Sequence, residues 1–141
     1  MIDRLRALAS RLGGEASTTG AAGEKAAEQH LISTRGVQVL ARNWRQGRDE
    51  LDLVCRDGEV LVFVEVKTRR AEARVPGYFS VNKRKKTALL RAIRAYRARL
   101  SSKPKAVRFD IGVVEWAGGG PGKVRHFENV PLFSKGFARS P

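Results

Sequence analysis

The sequence predicts an α/β fold, a mixed β-sheet with helices on its faces. Two strand-like stretches flank the turn signal Asp57-Gly58 and form a hairpin over residues 50–67. A helical pattern over 82–100 repeats Leu89, Ala92, Ile93, Tyr96 and Leu100 at three-to-four spacing. A further strand follows, so this helix can serve as the crossover between two parallel strands.

The elements follow in order. Residues 1–22 combine a short arginine-containing segment with a stretch rich in Gly, Ser, Thr and Ala. They read as a flexible N-terminal arm, or a weak helix with a linker. Residues 23–133 form one α/β domain, and 134–141 are a C-terminal tail. A chain of 141 residues has room for one core of useful size. Residues 23–35 read as a helix ended by Gly36. Residues 37–44 form the first strand, and Gln46, Gly47 and Arg48 turn the chain into the hairpin. After the main helix, Pro104 ends the connection. Strands follow at 106–114 and 123–130, separated by Gly118, Gly119 and Gly120.

The hairpin is the informative element. With Asp57-Gly58 as its turn, Val54 faces Leu61, Asp52 faces Phe63 and Glu50 faces Glu65. One face then carries Leu51, Leu53, Cys55, Val60, Val62, Val64 and Val66, and must be buried. The other face mixes Val54, Leu61 and Phe63 with Glu50, Asp52, Glu65 and Lys67. Asp52 and Glu65 stand diagonally, with α-carbons ~7 Å apart. Buried charges need partners or a metal. Carboxylate oxygens here suit Mg2+ or Mn2+. Lys67 can orient an attacking water or offset developing negative charge. The competing reading is an ordinary solvated charge pair of little energetic weight.

Charge distribution favours the site reading. The net charge is +14. Residues 67–108 hold fifteen Lys or Arg against one acid, Glu72, while the flanking regions nearly balance. A concentrated positive field beside acidic residues points to a polyanion, with DNA, RNA and anionic membrane as the candidates. The connection after Lys67 carries Arg69, Arg70 and Arg74. The main helix opens with Lys83, Arg84, Lys85 and Lys86 and continues with Arg91. Backbone N–H groups at that helix start can also take a phosphate. Tyr78 and Phe79, between the two clusters, either stack on bases or cap the core.

Other chemistry finds no sequence support. The lone Cys55 falls on the apolar face and fits a reducing compartment, the cytoplasm. His30 and His126 make no zinc set. There is no nucleotide-binding glycine loop and no serine-triad context. No signal-peptide pattern is visible, and no apolar run reaches membrane-spanning length. Glu24 either favours its helix dipole or points into the carboxylate cluster.

Asp52 followed by Glu65-Val66-Lys67 resembles the PD-(D/E)xK nuclease signature. The chain resembles the YraN-like family of small bacterial proteins, related to Holliday junction resolvases. The matching segments are Gly23-Glu24 with Ala27, Arg42-Asn43-Trp44, Glu50 to Leu53, Val62 to Lys67, and Arg108-Phe109-Asp110. Val81, Lys85, Ala92 and Tyr96 match the helix between them. The resemblance covers roughly residues 20–133. It implies a restriction-endonuclease-like mixed β-sheet flanked by helices. It further implies Asp52, Glu65, the Val66 carbonyl and Glu24 as ligands of Mg2+ or Mn2+, with Lys67 supporting the water. Asp49 departs from the family pattern, where glycine is usual.

Carried to function, the resemblance implies metal-assisted phosphodiester hydrolysis. Arg69, Arg70, Arg74, Lys83, Arg84, Lys85, Lys86 and Arg91 would hold the backbone of branched or distorted DNA. Symmetric cutting of two strands would require a homodimer. The alternatives are a nucleic-acid-binding accessory protein of the same fold, or a basic scaffold for proteins or membrane.

Overall fold

A computed structural model of the chain describes residues 15–70 and 82–133. The elements are α1 (Glu15–Arg35), β1 (Gln38–Gln46), β2 (Asp49–Asp57), β3 (Val60–Arg70), α2 (Lys83–Ala98), β4 (Ala106–Ala117) and β5 (Gly120–Phe127). They form one five-stranded sheet in the order β1-β2-β3-β4-β5. β3 and β4 run parallel, and the other neighbours run antiparallel. Only the parallel pair needs a crossover, and α2 supplies it. The architecture is a mixed sheet flanked by helices, an α/β fold of the restriction-endonuclease-like kind.

Each helix has a local cause. α1 begins at Glu15, inside the stretch read as an arm or weak helix. Ala21, Ala22, Ala26 and Ala27 favour helix strongly enough to carry Gly20 and Gly23. Gly23 is needed for close approach, because a Cβ there would collide with Thr68 Oγ1. Gly36 ends α1 with φ 63°, and its N–H donates to the Ile32 carbonyl at 3.0 Å. That is the left-handed cap geometry. α2 is capped by Asn82, whose side chain accepts from the Lys85 N–H at 2.8 Å. Its apolar stripe buries Leu89, Ala92 and Ile93.

Both faces of the sheet are buried. α2 covers a cluster that includes Val54, Leu61, Phe63, Ile93, Phe109, Ile111 and Leu132. A smaller cluster holds Leu31 of α1 with Leu53, Cys55, Val62 and Val64. The face expected to be mixed is therefore the larger core. Phe63 and Trp44 each meet Tyr96 edge-on. Cys55 lies in the smaller cluster, and burial pushes its thiol up to about 12.

Two details of the hairpin differ from expectation. The turn residues are Gly58-Glu59, because Asp57 pairs with Val60. Gly58 takes φ 60° as the first turn residue, the position a type II′ hairpin reserves for glycine. The pairing moves by two residues in total, so every side chain keeps its face. Leu51 is the exception. It packs with Val54 under α2, whereas Leu53 and Cys55 pack on the α1 side. Alternation therefore breaks around Asp52. The neighbouring strand is irregular at the same level, where Asn43 has φ 48°.

Candidate metal and nucleic-acid site

The break in alternation places Asp52. The β2–β3 ladder stops at Leu53 and Val64. One step further, the register would set Asp52 across from Glu65, closer than the diagonal expected. Instead of another ladder bond, Asp52 Oδ2 accepts from the Val66 N–H at 2.9 Å. Its carboxylate is thus fixed against the backbone between Glu65 and Lys67. Asp52 is 4% exposed and Glu65 is 6% exposed.

Glu65 points to the α2 face. Its Oε1 lies 3.1 Å from Lys85 Nζ. Lys85 belongs to the first turn of α2, which contains no acidic residue of its own. Lys67 is half-buried beside this pair. Burial lowers its pKa first; Glu65 and Asp52 oppose that shift, while Arg69 and Lys85 add to it. Asp52, Glu65, Lys67 and Lys85 are therefore one electrostatic group.

Glu24 is placed differently. It lies on α1, 9% exposed, next to the Gly23–Thr68 contact. Among the described residues, no group of three or more His, Cys, Asp or Glu side chains is arranged to hold a metal. Two carboxylates and a backbone carbonyl still suit a hard ion. Magnesium commonly takes one or two carboxylates and fills its other positions with water and substrate phosphate.

The cations divide into two sets. Arg69 and Arg70 at the end of β3, and Lys83, Arg84 and Lys86 in the first turn of α2, are exposed. Arg74, Tyr78 and Phe79 lie outside the described residues. Arg91 has an acidic partner within the protein. Its fork binds Asp49, Nε to Oδ2 at 2.6 Å and Nη2 to Oδ1 at 2.7 Å. That bidentate bond holds the Asp49 carboxyl below its ordinary 3.8. Asp49 is therefore neutralised by α2, and Arg91 ties α2 to β2.

A second polar group escaped the sequence reading. Asp110 is fully buried on the opposite face, next to Gly112, which lies against Ala27 of α1. Arg108 donates to it through Nε at 2.9 Å and Nη2 at 3.1 Å. The Asn129 N–H donates at 2.9 Å, and His126 Nε2 lies at 2.7 Å. Burial alone would raise the Asp110 pKa, but these hydrogen bonds hold it below 3.8. Arg108 continues to Asp57 at 3.1 Å, which Arg35 of α1 also reaches at 3.4 Å. The signal available was Arg108 and Asp110 two residues apart on one strand face.

The chain is similar to known proteins over most of its length. The family model described as "Uncharacterised protein family UPF0102" matches residues 23–114. A UPF0102 protein of Symbiobacterium thermophilum is 44% identical over 111 residues, 79% of this chain and 93% of its own length. One from Nitratidesulfovibrio vulgaris is 40% identical over 100 residues, 71% of this chain and 74% of its own. One from Chlorobaculum tepidum is 40% identical over 92 residues, 65% of this chain and 70% of its own. The matched span runs from the Gly23–Thr68 contact through Asp52, Glu65 and Lys67 to the end of the buried part of β4, and the chain belongs to the UPF0102, YraN-like family.

Proposed function

We propose that the protein is a divalent-metal-dependent, structure-selective DNA endonuclease that hydrolyses phosphodiesters. The observation that carries this reading is the Asp52 carboxylate fixed by the Val66 N–H, beside Glu65 and Lys67. Asp52, Glu65 and the Val66 carbonyl would hold Mg2+ or Mn2+, with Glu24 acting from α1. When bound, the ion would supply Lewis acidity and an activated water. Lys67 carries its ammonium in a half-buried site, where burial strengthens its field on a reacting phosphate. The exposed cations at the end of β3 and the start of α2 would track the DNA backbone. Backbone contacts carry no sequence information, so substrate choice would follow shape. A homodimer would let two such sites cut symmetrically related strands.

A second reading is a nucleic-acid-binding accessory protein with little hydrolysis. The Lys85–Glu65 ion pair favours it, because Glu65 already has a cationic partner. Cleavage assays separate the two. Four-way, flap and single-stranded DNA are offered with Mg2+ or Mn2+. The nuclease reading expects cleavage of a branched form that disappears in Asp52→Ala and Lys67→Ala while binding persists. Binding without cleavage on every substrate supports the accessory role.

A further inference from the structure

We propose that Lys85 is an exchangeable counter-cation: it holds Glu65 until a divalent ion takes that carboxylate, and then moves to a substrate phosphate. The inference rests on the metal-site reading above and adds a coupling between metal and nucleic acid. Lys85 Nζ is 3.1 Å from Glu65 Oε1, and the Lys85 side chain is 25% exposed against 7% for Glu65. The carboxylate is shielded from solvent, while the lysine is partly exposed.

The chemistry forces a choice. An ammonium and a divalent ion at one carboxylate repel each other, and poor solvation weakens the screening. Lys85 has another destination close by. Asn82 caps the same helix turn, and Lys83, Arg84 and Lys86 are exposed around it. A phosphate held there meets the positive end of the helix and a cluster of cations. Metal binding therefore releases a phosphate ligand, and phosphate binding removes a competitor of the metal. Linkage makes the effect reciprocal: each ligand raises affinity for the other by one factor.

Two binding measurements test this without reading cleavage. Calorimetric titration with Mn2+ compares the full-length wild type, Lys85→Gln and Lys86→Gln. Fluorescence anisotropy then follows a short branched DNA with and without Ca2+. Lys85→Gln is expected to bind Mn2+ on the order of tenfold more tightly than wild type, a usual size for site coupling. Wild-type DNA affinity should rise with Ca2+ by a similar factor, and Lys85→Gln should lose that rise. Lys86→Gln removes the same charge without the contact. It should weaken DNA binding yet keep the metal-dependent rise and near wild-type Mn2+ affinity. Mn2+ binding no tighter in Lys85→Gln, or equally tightened in Lys86→Gln, overturns the exchange and leaves the metal site standing. Wild type that takes up no Mn2+, with Glu65→Gln indistinguishable from it, overturns the metal-site reading and the exchange together.

Discussion

Two buried carboxylate centres lie on opposite faces of one sheet, and they are neutralised in opposite ways. Asp110, under α1, accepts from both nitrogens of one Arg108 fork and from the Asn129 N–H, with His126 Nε2 also in reach. Its main cation extends from the same strand, two residues away. At Asp52 and Glu65 the contacts include the Val66 N–H and Lys85, a side chain from another element. The first centre is saturated and closed. The second includes a lysine that, on the exchange proposed above, a metal ion displaces. A buried charge with a full set of fixed partners serves the fold, whereas one with a displaceable partner suits binding.

The largest effect that would sharpen this contrast is on stability. Asp110→Ala leaves Arg108 without its buried partner and should cost about 3–5 kcal/mol. Asp52→Ala leaves the Val66 N–H without its acceptor but strands no buried guanidinium, and should cost less, about 1–3 kcal/mol. Urea denaturation of both variants compares them directly. Equal losses would erase the distinction between the centres.

Cleavage should reverse that ranking. Asp52→Ala, Glu65→Gln and Lys67→Ala are each expected to lower a metal-dependent cleavage rate by about 10²–10³-fold. Glu24→Gln, on the other helix, should lower it less. Initial rates on branched DNA read both results.

Salt dependence gives a smaller effect. Lys83→Gln with Lys86→Gln should reduce the slope of log affinity against log salt by ~1–2 units, as phosphate contacts are lost. Arg91→Gln should leave that slope unchanged, because its fork belongs to Asp49. A reduced slope in Arg91→Gln would return it to the binding surface.

Acid sensitivity is the smallest expected effect. Asp49 and Asp110 both have pKa values below their ordinary 3.8. Their stabilisation is complete above that value and is lost as pH falls through the lowered folded-state pKa. Arg91→Gln removes the chief cause of the Asp49 shift. Its stability deficit relative to wild type should therefore be full at pH 7 and shrink on acidification below about pH 4. Circular dichroism of denaturant unfolding at several pH values would show a constant deficit if Asp49 does not titrate this way.

These contrasts were unevenly legible in the sequence. The Asp57-Gly58 signal located the hairpin, because a two-residue turn needs glycine where φ is positive. It misassigned the turn pair, and faces survived only because the slip was an even number of residues. Leu51 was placed on the wrong face, since strict alternation carries no sign of the irregularity at Asp52 and Asn43. The basic helix start was visible as a charge run. Its partner choices were not: Lys85 reaches Glu65 and Arg91 reaches Asp49 only after the chain has crossed the sheet. Likewise Asp110 could be read as one polar position on a strand, while His126 and Asn129 come from a segment folded back later. Local turn chemistry and periodicity are written in neighbouring residues. Ion-pair partners are set by tertiary register.

The most direct measurement is a crystal structure with Mn2+ and a branched DNA, with the ion located by its anomalous signal. The account predicts a cation shared by Asp52, Glu65 and the Val66 carbonyl, a phosphate oxygen in its coordination sphere, and Lys67 beside that phosphate. DNA bound across the basic helix start with no cation between Asp52 and Glu65 would contradict it.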